Sequence, residues 1–208
     1  MNCQASLIYP QIVHMKFDSQ YFLASTFMRI QEFYESPFPN IRGKAFTVFD
    51  YMDTEARNNG QFDYFTKWGG FNFPGEVLKK FLKTQKVLYY KNEALKFVYI
   101  KCLVNWNEPF YVIGTYSSKD LDHELAHAFY YLSKSYRQEM NSIIDSIPAK
   151  HSQKICKWLQ DMGYTNEVFK DEIQAYLSTE RNPFDYVSPK IINKFKENFL
   201  IMKDILEE

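Results

Sequence analysis

The spacing of hydrophobic residues along the chain predicts several amphipathic helices in its first half. Apolar residues recur every three to four positions over residues 20–35, directly after an Asp18-Ser19 pair that can cap a helix. Capping and stop signals predict two further helices, over residues 47–57 and 75–83. Residues 1–17 are expected to form only an extended lead-in.

The middle of the chain changes towards β structure. Residues 61–74 are read as an aromatic loop that packs on the core, with a wall beside a cleft as the alternative. Three segments rich in Val, Ile, Tyr and Phe are predicted strands. These segments are residues 87–90, 96–104 and 110–116. A turn over residues 105–109 would join the last two as an antiparallel hairpin. The alternation of side chains along residues 96–104 suggests one fully apolar face, which places Cys102 in the core.

Helical periodicity returns in the second half. One long helix is expected from Asp120 to Ile147, followed by helices over residues 149–162 and 167–178 and a last one from Pro189 onward. These elements predict a helix-rich α+β fold with a small antiparallel or mixed sheet. We expect two closely packed lobes, residues 1–95 and 96–208, or a single domain.

Composition narrows the function classes. The 208 residues carry 25 basic and 25 acidic side chains, so no excess positive charge favours nucleic acid or an anionic membrane. No apolar run reaches the roughly 18 residues of a membrane span, and no signal peptide is visible. Three widely spaced cysteines favour a reducing, cytoplasmic location, with export through an uncleaved signal left open. Composition is silent on the oligomeric state.

The most informative motif is His123-Glu124-Leu125-Ala126-His127. Histidines four residues apart on a helix share one face, where they can bind one tetrahedral ion, most often Zn²⁺. Glu124 is then placed to act as general base on a water molecule. The alternative is a helix that carries two histidines by chance.

A catalytic zinc site needs a third protein ligand and one open position. On the downstream helix, Glu172 falls on the apolar face, where a carboxylate is costly unless a cation compensates it. Gln174 is predicted to point away from that face. Asp171 and His151 are alternative third ligands, and an ordinary ion pair of Glu172 with Lys or Arg also remains open.

Over roughly residues 96–178, the motif and the downstream glutamate resemble the zincin metallopeptidases, and among them the gluzincins. The resemblance implies a zincin-like fold with the sheet packed on the HExxH helix. It also implies His123, His127 and Glu172 as ligands of one Zn²⁺ ion, with Glu124 as general base and acid.

The chain departs from the family patterns at several positions. Tyr130 and Ser133 stand where the metzincin motif would require Gly and His, which excludes that branch. Zincins usually have small or apolar residues before the motif, whereas this chain has Asp120 and Asp122. Tyr176 occupies the position where gluzincins carry an aspartate.

The sequence therefore predicts a zinc metallopeptidase that acts on a peptide or protein substrate. The segment 110–116 is implied to be an edge strand that pairs with that substrate. The tetrahedral oxyanion needs a hydrogen-bond donor. The candidates are Tyr176, Tyr130, Tyr131 and Lys134. The alternative function is a zincin-like protein without catalytic activity that binds other proteins.

Overall fold

The computed structural model describes residues 3–85, 91–180 and 184–207. The chain folds as two compact units, residues 1–121 and 122–208. The boundary between these units does not coincide with the expected division after residue 95. Segments 96–104 and 110–116, which the sequence prediction groups with the motif helix, lie in the first unit.

The first unit contains a mixed four-stranded sheet. Its strands are β1 (Cys3–Tyr9), β2 (Ile12–Phe17), β3 (Gly70–Pro74) and β4 (Tyr111–Thr115), in the spatial order β1-β2-β4-β3. β2 pairs antiparallel with β1 and parallel with β4, while β3 pairs antiparallel with β4. The strand predicted over residues 110–116 is confirmed, but it lies inside the sheet. The prediction that it is an edge strand free to bind substrate is therefore wrong.

Among the described residues of the first unit, four α-helices accompany the sheet: α1 (Gln20–Glu35), α2 (Val48–Asn59), α3 (Gly75–Thr84) and α4 (Lys91–Leu103). Ser19 caps α1, and Thr47 forms a capping box with Asp50 at the start of α2. Gly60 ends α2 in the left-handed conformation, with φ of 79°. The three helices predicted from local capping and stop signals are thus confirmed.

Aromatic side chains fill the core of this unit. Phe27 on α1 is fully buried and contacts the rings of Phe17, Phe71 and Phe73. A Cβ atom on Gly114 of β4 would lie 2.6 Å from the Phe27 ring, so only glycine allows this close approach. The packing interpretation of the aromatic segment 61–74 is correct for its buried members, although residues 70–74 form β3 rather than a loop.

The strand predicted over residues 96–104 is wrong, because most of this segment belongs to α4. Buried Phe97 and Ile100 alternate with exposed Val98, Tyr99 and Cys102, which is a helical period. Cys102 is therefore a surface residue and not part of the core. The predicted hairpin turn over residues 105–109 instead joins α4 to β4. The strand predicted over residues 87–90 lies outside the described residues.

The second unit is helical among its described residues. Its helices are α5 (Leu121–Leu132), α6 (Lys134–Asp145), α7 (Ala149–Asp161), α8 (Phe169–Thr179) and α9 (Pro189–Glu207), and α5 starts at the last residue of the first unit. The helix predicted to reach Ile147 breaks at Ser133, whose side chain caps α6. Gly163 follows α7 with φ of 96°, as its predicted stop. The Asn182-Pro183 break lies outside the described residues.

Taken together, these elements confirm a helix-rich α+β chain with a small mixed sheet. Among the residues that the structure describes, no helix is both long and apolar enough to cross a membrane.

Candidate metal centre

Helix α5 places the two histidines of the motif one turn apart. The ring centroids of His123 and His127 are 5.0 Å apart, and their Nε2 atoms are 3.3 Å apart. Two nitrogens bound at about 2.05 Å to one tetrahedral zinc ion are separated by about 3.3 Å. The spacing of the two Nε2 atoms therefore already matches that of two ligands of one ion.

Helix α8 brings Glu172 to the same point. Its Oε1 atom is 3.8 Å from Nε2 of His127, and its Oε2 atom is 3.9 Å from Nε2 of His123. These distances exceed the tetrahedral spacing by about 0.5 Å. Within the described residues, His123, His127 and Glu172 form a group of possible metal ligands whose ligand atoms lie within 4.8 Å of one another. Two imidazoles and one carboxylate are the donor set of many catalytic zinc sites.

The two alternative third ligands have other contacts. Asp171 accepts a hydrogen bond from Nδ1 of His127 at 2.9 Å, on the side of the ring away from the converging Nε2 atoms. The ring of His151 contacts the ring of Tyr186, with centroids 5.5 Å apart. Of the three candidates, the structure therefore groups Glu172 with the histidines.

Contacts to Nδ1 orient both histidines. For His127 the partner is the Asp171 carboxylate. For His123 the partner is the hydroxyl of Thr179, whose Oγ1 atom is 3.5 Å from Nδ1. Because the Thr179 hydroxyl donates its proton to the carbonyl oxygen of Ala175, it can accept one from Nδ1. Such outer contacts direct the Nε2 lone pairs of metal-binding histidines towards the ion.

Gln174 fixes the position of Asp171, contrary to the prediction that it points away. It is fully buried, and its side-chain nitrogen donates to Oδ1 of Asp171 and to the carbonyl oxygen of Ala126. Its side-chain oxygen accepts a hydrogen bond from the Tyr136 hydroxyl. Gln174 thereby ties α8 to α5 at the level of the histidines.

The electrostatics of the pair favour one shared proton. Burial lowers the pKa of His123 to about 3, and the neighbouring His127 adds to this effect. Burial also lowers the pKa of His127, but the carboxylates of Asp171 and Glu172 more than offset this effect. The pKa of His127 is therefore raised to about 10. At neutral pH the metal-free pair thus carries its proton on His127, and Nε2 of His123 remains an acceptor.

Glu124 is buried on α5, beside the first histidine. Its negative charge is one of several causes that raise the pKa of His127, although burial and the α8 carboxylates act more strongly there. It also adds to the effect of burial in raising the pKa of Tyr176 and Tyr164. The Glu124 carboxylate therefore acts electrostatically on His127, Tyr176 and Tyr164.

Tyr176 is the candidate oxyanion donor whose contact with the centre is observed, because its ring centroid lies 4.8 Å from that of His123. Burial raises its pKa to about 12, while a hydrogen bond from Tyr164 opposes this rise. The hydroxyl of Tyr130 instead donates to Asn141. Of the other two candidates, Tyr131 is half-buried near the end of α5 and Lys134 is exposed at the start of α6.

Sequence reasoning missed Tyr164, Thr179 and the orienting role of Asp171. Tyr164 directly follows Gly163, which ends α7, and lies outside any helix or strand. Periodicity therefore does not indicate which way its side chain points. For Asp171, the helical period showed only that it lies at the edge of the buried face. Thr179 is the last residue of α8, seven residues beyond Glu172, so the same period could have placed it near that face.

Comparison of the chain with protein-family models, with characterised proteins and with solved structures finds no match. The functional interpretation therefore rests on the residues and geometry of the centre.

Proposed function

We propose that this protein is a zinc-dependent metallopeptidase with a zincin-like, gluzincin-type site. One observation carries the proposal. The Nε2 atoms of His123 and His127 and the carboxylate of Glu172 converge within 4.8 Å, while separate groups engage the opposite nitrogen of each histidine. A chance pair of histidines on a helix would not need oriented rings or a buried third ligand.

The side chains divide into ligands and proton carriers. His123, His127 and Glu172 would hold one zinc ion, which supplies a lowered pKa for a water molecule and polarisation of the scissile carbonyl. Glu124 accepts the proton of the attacking water and passes it to the leaving amine. Tyr176 donates its hydroxyl proton as a hydrogen bond to the developing oxyanion.

Tyr164 supports this role of Tyr176. Its hydroxyl donates to the Tyr176 oxygen, which opposes the rise in the Tyr176 pKa that burial causes. The Tyr176 proton then remains available to a substrate oxygen. Because Tyr164 acts through Tyr176, it is a positioning residue.

The decisive experiment combines metal analysis with two substitutions in protein purified without a metal-chelating tag. We expect one zinc per chain in the wild-type protein and in Glu124→Gln, and a loss of bound zinc in His127→Ala. A peptide library should be cleaved by the wild-type protein and left intact by Glu124→Gln. Unchanged turnover in Glu124→Gln would contradict the assigned general base.

The same experiment separates the alternative functions. One zinc per chain without cleavage of any peptide would favour a zincin-like protein that binds partners without catalysis. Wild-type protein that binds no zinc would contradict the metal centre itself.

A further inference from the structure

A row of aromatic side chains leads away from the candidate metal centre. It begins at Tyr176, whose ring contacts His123, and continues through α7 into the segment after α8. We call these four side chains the aromatic row: Tyr176, Trp158, Phe184 and Tyr186. Successive ring centroids are 5.0, 5.2 and 5.9 Å apart, which is the range of favourable aromatic pairs.

Helix packing accounts for only part of this row. Phe184 is 3% exposed and fills space as a core residue does. Trp158 is 37% exposed although it contacts a ring on each side, and Met162, which directly follows the end of α7, is 39% exposed. Apolar surface beside Tyr176 is therefore left open to solvent.

We infer that the aromatic row binds an aromatic side chain of the peptide substrate next to the scissile bond. This inference rests on the proposed peptidase function. A residue adjacent to the scissile carbonyl has its Cα atom within about 4 Å of the bond, so a phenyl side chain extends far enough to meet a ring that contacts a zinc ligand. Trp158 can then pack against that phenyl group, as it already packs against Tyr176.

The charges near the centre disfavour an acidic occupant. Glu180 is half-exposed, and its Oε1 atom lies 4.0 Å from Nδ1 of His123. Together with Asp171 and Glu124, it makes the surroundings of the ligands acidic. An acidic substrate side chain would be repelled here, whereas an aromatic one gains apolar contact without an electrostatic penalty.

The test measures binding rather than cleavage, and uses zinc-loaded wild-type protein, in which Glu124 can accept the proton that a hydroxamic acid releases on binding zinc. Two probes share a zinc-binding hydroxamate, and differ in that acetohydroxamic acid has a methyl group where phenylacetohydroxamic acid has a benzyl group. Titration calorimetry should show the benzyl probe binding about tenfold more tightly, a gain typical of a well-packed ring. In Trp158→Leu this advantage should fall to within about twofold, with binding of the methyl probe unchanged.

Ile205→Ala serves as the matched control, because Ile205 is an exposed apolar residue of α9 outside the row. It should keep the full preference for the benzyl probe. Trp158→Phe retains an aromatic ring and should keep part of the preference for the benzyl probe. Circular dichroism verifies that each variant is folded. Equal affinities for the two probes, or a preference that survives Trp158→Leu, would overturn the inference while leaving the metallopeptidase proposal intact. Failure to bind zinc or either hydroxamate would overturn both.

Discussion

Removing the Asp171 carboxylate should weaken zinc binding without removing a ligand. Its Oδ1 atom accepts hydrogen bonds from Nδ1 of His127 at 2.9 Å and from Nε2 of Gln174 at 3.0 Å. Substituting partners of this kind typically costs 10–100-fold in metal affinity, about 1.4–2.7 kcal/mol. We expect Asp171→Ala to fall in this range once proton competition is accounted for.

Asp171→Asn separates charge from hydrogen bonding. An asparagine oxygen in the same position can accept both hydrogen bonds but carries no charge. A hydrogen bond to a charged group contributes about 1 kcal/mol more than one between neutral groups. Zinc affinity should therefore fall only about fivefold in Asp171→Asn, between wild-type protein and Asp171→Ala.

The pH dependence gives a second, independent result. With a pKa raised to about 10, His127 is protonated in the metal-free protein over pH 7–9, so zinc must displace one proton. Wild-type affinity should rise about tenfold per pH unit over this range. Loss of the Asp171 charge lowers the pKa of His127, so the slope should flatten in Asp171→Ala.

Affinity is measured by competition with a chromophoric zinc chelator from pH 6 to pH 9. Asp161→Asn is the control, because Asp161 is an exposed carboxylate that pairs with Lys157 and should leave both affinity and slope unchanged. If Asp171→Ala binds zinc with the wild-type affinity and slope, Asp171 does not orient a metal ligand and the reasoning is refuted.

Three further predictions concern other parts of the chain. Gly114→Ala should destabilise the protein by about 1–3 kcal/mol in urea denaturation, because the new methyl group would meet the Phe27 ring. Burial and neighbouring acidic groups raise the pKa of Glu55 from 4.5 to about 7, so the folded state holds this proton longer than the unfolded state and loses stability as pH rises from 4.5 to 7. Glu55→Gln should therefore be more stable than wild type at pH 8 and equal to it at pH 4, again by urea denaturation. Tyr164→Phe should lower the kcat of peptide cleavage about 2–10-fold with zinc affinity unchanged, since it removes one hydrogen bond to Tyr176.

Local sequence signals were sufficient to predict most of the helices. Ser19, Thr47 and Gly60 act on backbone groups within a few residues, so their effect is readable from the sequence. The strand prediction for residues 96–104 was wrong because a short run of β-branched and aromatic residues fits both a strand and a helix. Tertiary packing against other parts of the fold selects the helix over the strand, and the sequence alone does not show which residues pack against this segment.

The sheet illustrates the same limit. β2 pairs in parallel with β4, nearly 100 residues further along the chain. No turn signal links these strands, so residues 1–17 could be recognised as extended but not as part of a sheet. The position of β4 inside the sheet, and hence the failure of the predicted edge, follows from this distant pairing.

The candidate centre could be predicted further than the sheet because its ligands are fixed by helical periodicity. His123 and His127 need only one turn of α5, and Glu172 needs only the buried face of α8. Which carboxylate meets which nitrogen depends on how the two helices pack. For this reason helical periodicity leaves Asp171, at the edge of the same face, as an alternative ligand, whereas in the structure its carboxylate contacts Nδ1 of His127.

The aspartates before the motif, at positions where the zincin pattern usually has small or apolar residues, have structural contacts of their own. Asp122 forms an ion pair with Lys203 of α9 at 2.9 Å. Asp120 approaches Gly69 so closely that a Cβ atom there would lie 2.9 Å from its Oδ2 atom. Asp122 therefore holds α5 against α9, and Asp120 contacts the turn before β3. Two acidic residues that serve packing in this way do not argue against a metal-binding role for the histidines that follow them.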